Sequence, residues 1–229
     1  QGNLSLVLES LKERALLKKN APHIVHDLKF VVPTYKWWES SFYGIGLKIY
    51  DWLAGKEGIG DSKILSKKET VHLLPTISEK DLRGGVLYYD AQFNDTRLLI
   101  NMMQTAKKEG ANVLNYHEFL SFTKTKDGTI DGGKINDTRN QKQYTVKAKA
   151  IVNATGVFSD SIRNMNKSTV SKIITSSQGV HIVLDKHFLP GDTAVMIPKT
   201  DDGRVLFAIP WNNKVIIGTT DTPVKEYSY

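Results

Sequence analysis

The chain has 229 residues, 40% of them hydrophobic and 24% charged, with a formal net charge of +7. It has no cysteine, which excludes disulfides, thiolate-held metal and thiol chemistry and fits a reducing compartment. The lysines are dispersed among acids, as in Lys67-Lys68-Glu69, which excludes the clustered basic stripe of a nucleic-acid binder, and no apolar run approaches the roughly 20 residues that a membrane-spanning helix needs.

Leucines at helical spacing from Leu4 to Lys19 predict a helix that Asn20-Ala21-Pro22 stops. Leu28 to Val32 reads as a short strand ended by Pro33. An aromatic helix follows from Trp37 to Ala54, in which Gly44 and Gly46 point to close packing or a bend. Its aromatics are expected in the core; the competing reading, with the basic charge beside them, is attachment to a membrane surface. Ser66-Lys67-Lys68-Glu69 is a capping box opening a short helix. Gly85 to Gln92 predicts a strand, and Asn94-Asp95 caps a helix that runs to about Glu109 with Gly110 as its stop.

Beyond Asn112 strand signals dominate, with hairpin turns at Asp127-Gly128 and Asp201-Asp202-Gly203. They are interrupted at Ala148 to Arg163, AKAIVNATGVFSDSIR, which reads as an apolar strand, a tight Ala154-Thr155-Gly156 turn and a helix. Further strands are expected at Gly179–Asp185, Thr193–Ile197, Arg204–Ile209 and Lys214–Ile217. The pattern predicts an α+β fold: a mostly antiparallel substrate-domain sheet with flanking helices, forming one truncated unit over residues 1–229. Residues 148–164 would contribute part of an α/β nucleotide-binding layer.

Several positions have the chemistry of a site. The amides at the helix start after Ala154-Thr155-Gly156 suit an anion, although a plain β-turn-α connection has the same pattern. His181 lies in a strand-like run; an imidazole, which titrates near neutrality, suits removal of an alcohol proton, and a strand histidine is more commonly structural. Arg204 follows a turn, where a guanidinium can grip phosphate or else pair with Asp201 or Asp202. Gly218-Thr219-Thr220-Asp221 is either a ligand rim or an Asp-centred turn. His23 and His26 have no third ligand at metal spacing, so no metal is expected. G-x-G-x-x-G after a first strand is absent; Gly55 to Gly60 has the wrong spacing. The chain therefore reads as the interior of a longer nucleotide-binding protein.

Four stretches, in order, resemble the FAD-dependent glycerol-3-phosphate dehydrogenase family: Leu11–Val25, Leu87–Leu99, Ala150–Arg163 and the long run from Ser177 to Pro223. The resemblance implies oxidation of glycerol 3-phosphate at C2 to dihydroxyacetone phosphate, with hydride transfer to FAD and electrons passed to quinone, or to oxygen in the oxidase branch. It places His181 beside substrate and flavin, Arg204 on the substrate phosphate, and Thr219 and Thr220 near the substrate pocket. Phe119 and Ala154-Thr155-Gly156 fall on the FAD side. It also implies that the family's Gly-rich first unit and its C-terminal part lie outside this chain, so that the piece alone is expected to be inactive and to hold FAD weakly. Met165 to Ile173 is short and polar and departs from the family's pattern. Other readings stay open: another flavin oxidoreductase acting on a 2-hydroxy acid or an amine, or a non-catalytic binding module. A cytoplasmic location at the inner face of the cell membrane and self-association through exposed faces are further expectations.

Overall fold

The computed structural model describes residues 4–55, 58–167 and 171–224. The chain divides into two compact units, one built from residues 1–102 and 179–221, the other from residues 103–178 and 222–229.

The first unit opens with α1 (Leu4–Asn20), β1 (His26–Thr34), α2 (Glu39–Ala54), β2 (Lys63–Ser66), α3 (Lys67–Leu73), β3 (Gly84–Gln92) and the start of α4 (Asp95–Lys108). Its remaining strands are β8 (Ile182–Asp185), β9 (Thr193–Ile197), β10 (Leu206–Trp211) and β11 (Lys214–Gly218). They form a seven-stranded sheet in the order β2-β3-β1-β9-β10-β11-β8, in which only the β1–β9 pair is parallel. The fold is α+β with mostly antiparallel sheets, as the alternation of strand and turn signals predicts.

Strand alternation gives this sheet a core on each face. Val31, Leu65, Leu74, Leu189, Val195 and Val215 pack together on one side. Leu28, Phe30, Val32, Tyr88 and Ala194 pack on the other, with Tyr43 and Leu47 of α2 laid against them. Phe30 and Tyr88 stack at 5.1 Å, and the Tyr88 hydroxyl donates to Met196 Sδ at 3.2 Å. The capping box forms: Ser66 Oγ accepts from the Glu69 amide at 3.2 Å, and Glu69 Oε2 accepts from the Ser66 amide at 2.8 Å. Asn94 Oδ1 likewise caps α4 through the Arg97 amide at 2.9 Å.

The strand read as ending at Pro33 runs through it to Thr34. The parallel partner β9 pairs only Lys29 to Val31. Pro33 therefore lies where one side of the strand has no ladder neighbour, and its missing N–H is tolerated.

The expectation that the aromatics of the α2 segment are core holds for Tyr43 but not for Trp38, Phe42 and Trp52. Tyr43 and Leu47 make the face that meets the sheet. This turns Trp38, Phe42, Ile45, Ile49 and Trp52, alternately four and three residues apart, onto the outer face. Phe42 and Ile45 are each 63% exposed and Trp52 is 79% exposed. Gly44 is buried because a Cβ there would sit 3.0 Å from Ile64 Cδ1, so close packing against β2 is its role.

The second unit carries a three-stranded antiparallel sheet of β4 (His117–Lys124), β5 (Ile130–Asp137) and β6 (Lys142–Lys147), then α5 (Ser159–Asn166) and a two-stranded ribbon of β7 (Ser177–Gln178) with β12 (Thr222–Pro223). The Asp127-Gly128 hairpin turn is present: Gly128 has φ +87°, and the Thr125 amide donates to Thr129 O at 2.9 Å. The apolar strand expected before Ala154 is not. Residues 148–155 form no strand; the Ala148 amide donates to Asp131 O of β5 at 3.0 Å, and Val152 is 86% exposed. A β-branched run has strand propensity, but a strand exists only where a ladder partner accepts it.

Candidate functional site

The end of the large sheet where β11 finishes and β8 begins gathers the residues of the expected substrate site. β8 starts at Ile182, so His181 lies just before the strand rather than within it, and it is exposed. Its ring rests against Gly218, the last residue of β11: a Cβ on Gly218 would overlap His181 Cδ2 and lie 2.8 Å from its Nε2. A side chain of any size at 218 would push the imidazole away. Thr219 and Thr220 follow at once, and Thr220 Oγ1 accepts from the Val180 amide at 2.7 Å, tying the approach to β8 to the exit from β11. Gly179 permits this, because a Cβ there would lie 2.8 Å from Thr220 O.

Arg204 belongs to the same end. β10 begins at Leu206, two residues later than the pattern indicates, and Phe207 pairs with Gly218. Running that register outward brings the Arg204 segment level with the residues after Thr220. The guanidinium is held by an acid: Nε donates to Asp202 Oδ2 at 2.7 Å and Nη2 donates to the same oxygen. Asp202 is thereby held well below the ordinary carboxylate value, at about 2, with the Thr200 hydroxyl as a further donor. The Asp201-Asp202-Gly203 turn is present, with Gly203 at φ +83° and the Thr200 amide donating to Arg204 O at 2.8 Å. The structure thus brings His181, Thr219, Thr220 and Arg204 to one sheet end, with Arg204 engaged by Asp202.

The expected cofactor-side residues lie in the second unit. Phe119 is on β4, half-buried, edge-on to Phe122 at 4.9 Å, and it occupies the space that a Cβ on Gly133 would fill. Ala154, Thr155 and Gly156 form an exposed turn into a short 3₁₀ segment, Gly156–Phe158, that runs on into α5. Asn153 organises this turn: its Oδ1 accepts from Thr155 Oγ1 at 2.7 Å, and its Nδ2 donates to Ser159 O at 3.0 Å. Gly156 takes φ +55°, and nothing lies within 4 Å of where its Cβ would be. An open glycine turn at a helix start fits the edge of a dinucleotide: backbone can approach a ligand there, and the helix amides favour an anion.

Asp160 and Arg163 fix the loop beyond α5, a role that sequence reasoning missed. Asp160 is buried, accepts from the Ile173 and Ile174 amides at 3.0 Å each, and binds Arg163 Nη1 at 2.6 Å. These bonds, the Ile174 amide first, hold its carboxyl below the usual range. An acid and an arginine three apart on a helix were the available signal. Of the Met165–Ile173 loop, residues 168–170 lie outside the described residues, as do residues 56–57 of the Gly55–Gly60 cluster. Among the described residues no three His, Asp or Glu side chains cluster as metal ligands, and no helix is long and apolar enough to cross a membrane.

The description of one protein family, "FAD dependent oxidoreductase", matches residues 1–228. The chain belongs to the FAD-dependent oxidoreductase family. It is 39% identical over 233 residues to the mitochondrial glycerol-3-phosphate dehydrogenase of Schizosaccharomyces pombe, covering 98% of this chain and 36% of that protein. It is 41% identical to a mitochondrial glycerol-3-phosphate dehydrogenase of Arabidopsis thaliana, covering 96% and 36%. Among solved structures, the glycerol-3-phosphate dehydrogenase from Bacillus halodurans complexed with FAD superposes with a TM-score of 0.77 at 31% identity, over 94% of this chain and 38% of that one. The L-α-glycerophosphate oxidase from Mycoplasma pneumoniae shares the fold, with a TM-score of 0.67 at 16% identity over 96% of this chain and 56% of that one. The chain spans about a third of the length of the curated relatives it matches.

Proposed function

We propose that the protein containing this chain oxidises glycerol 3-phosphate at C2 to dihydroxyacetone phosphate, and that the chain supplies the residues binding and activating the substrate. FAD, when bound, supplies the two-electron acceptor for this chemistry. The observation that carries the reading is the sheet end at which His181 sits over Gly218, followed by Thr219 and Thr220, with Arg204 at the same end. His181 would take the C2 hydroxyl proton, a role open to an exposed imidazole fixed in place by a glycine seat. Arg204 would bind the substrate phosphate, exchanging the Asp202 carboxylate for a phosphate of like charge and better fork geometry. Thr219 and Thr220 would rim the pocket. Phe119, Ala154, Thr155 and Gly156 would flank the cofactor, the glycine turn admitting it without steric conflict. The likeness to enzymes named for this substrate supports the choice over 2-hydroxy acids and amines.

We further propose quinone as the onward electron acceptor, self-association of the whole protein, and a peripheral position on a membrane face. The exposed aromatic stripe of α2 supports the membrane position, and the relatives' mitochondrial names fit it. The test uses the full-length protein loaded with FAD. Arg204→Ala is expected to raise KM for glycerol 3-phosphate by about a hundredfold, the scale of a lost charge-assisted pair, and to lower kcat less. His181→Ala is expected to lower kcat with little change in KM. Wild-type kinetics in both variants would reject the assignment.

A further inference from the structure

A second pocket lies at the opposite end of the large sheet from His181, where β1 and β11 start and β3 and β10 finish. Its volume is about 610 Å³, and all its lining residues belong to the first unit. Its lining holds two cations, Arg97 and Lys186, and two carboxylates, Asp27 and Asp192, and Lys18 reaches Asp27 from outside the lining. Asp27 is engaged by Lys18 at 2.6 Å, and Asp192 by Lys186 at 3.3 Å, so each acid already has its cation. What remains is positive or able to become so. The Arg97 guanidinium, on the first turn of α4, has no side-chain partner among the described residues. Among the described residues His26 has none either, and the one side-chain partner of His23 is Asn101, through Nε2 at 3.3 Å. Trp211 also lines the pocket.

We propose that this pocket binds a phosphate group, gripped by Arg97 with His23 and His26 as flanking donors. A planar guanidinium presents a fork that matches two phosphate oxygens, and imidazole N–H groups bond the remaining oxygens without bringing a competing carboxylate. Both acids in the wall pair with lysines, Asp27 with Lys18 and Asp192 with Lys186. The inference is independent of the substrate assignment above, because the two sites lie at opposite ends of the sheet and share no residue.

The experiment is a titration of the full-length protein with inorganic phosphate at constant ionic strength, balanced with chloride, following the imidazole NMR signals of His23 and His26. Saturable shifts at both rings are expected. Arg97→Gln is expected to weaken the response about tenfold or more, the scale of one charge-assisted pair. Arg204→Gln is expected to leave it unchanged, which separates this pocket from the proposed substrate phosphate site. Arg97 is exposed, so its replacement leaves the fold intact, and circular dichroism of the variant checks this. Shifts that chloride reproduces, that fail to saturate, or that persist with unchanged affinity in Arg97→Gln would overturn the proposal, as would a response abolished by Arg204→Gln alone.

Discussion

Gly218 is where a missing side chain governs a functional one. The His181 ring occupies the volume that a Cβ would take. His181 is exposed, so Gly218→Ala is expected to swing the ring outward with little loss of stability. Misplacement of a catalytic group by about 1 Å can cost on the order of 100-fold in rate, so kcat of the full-length enzyme should fall by at least tenfold while its melting temperature holds. Unchanged kcat would separate His181 from the chemistry. Asp202 offers a test by titration. Its folded carboxyl titrates at about 2, below the ordinary 3.8, because Arg204 and then Thr200 donate to the ionised form. The stabilisation that the ionised group contributes is therefore present above pH 3.8 and lost as pH falls through about 2. A carboxyl NMR titration should show that midpoint, and Arg204→Gln should move it toward 3.8; an unmoved midpoint would mean that the pair does not form in solution. At this scale the sequence named His181, Arg204, Thr219 and Thr220, and the Asp202 pairing stood among its readings. It could not reveal Gly218 as a seat, because that role depends on two strands meeting in register.

Elements were most legible where the signal is local. The capping box at Ser66 to Glu69 is a four-residue statement about backbone hydrogen bonds, and it forms as read. Ser66→Ala is expected to cost about 1 kcal/mol of unfolding free energy in denaturant titration, the usual worth of an N-cap. A cost near zero would show that β2 packing alone fixes the start of α3. The turns at Gly128, Gly203 and Gly110 were legible for the same reason, each glycine taking positive φ. Elements were misread where a neighbour decides. The run Ile151-Val152 has the composition of a buried strand but joins no ladder within the described residues, so it remains exposed. Pro33 punctuates a strand only where a ladder needs its N–H, and β9 stops short of it. Asp160 reaches across to the Ile173 and Ile174 amides, a pairing that no local pattern announces.

At the scale of the whole molecule, composition predicted the mixed architecture but not which way the aromatic helix faces. α2 has apolar residues on more than one side, and packing of Tyr43 and Leu47 on the sheet decides which side is covered. The stripe left outside, with Trp52 near one end and Lys48 and Lys63 beside it, has the make-up of an interfacial helix. The chain is expected to sediment with anionic phospholipid vesicles, and the triple variant Phe42→Ser, Ile45→Ser, Trp52→Ser to stay in the supernatant. Equal partition of the two proteins would exclude this face as the contact.

The parallel pairing of Val31 with Val195 gives the chain a particular order of assembly. β1, third of the seven strands, is synthesised well before β9, its partner on that side, which leaves the ribosome only after the whole of residues 103–178 has passed. At 5–20 residues per second that interval is roughly ten to thirty seconds. Throughout it the bare edge of Phe30, Val31 and Val32 can template another strand. Chains released before residue 195 are therefore expected to aggregate more than longer ones.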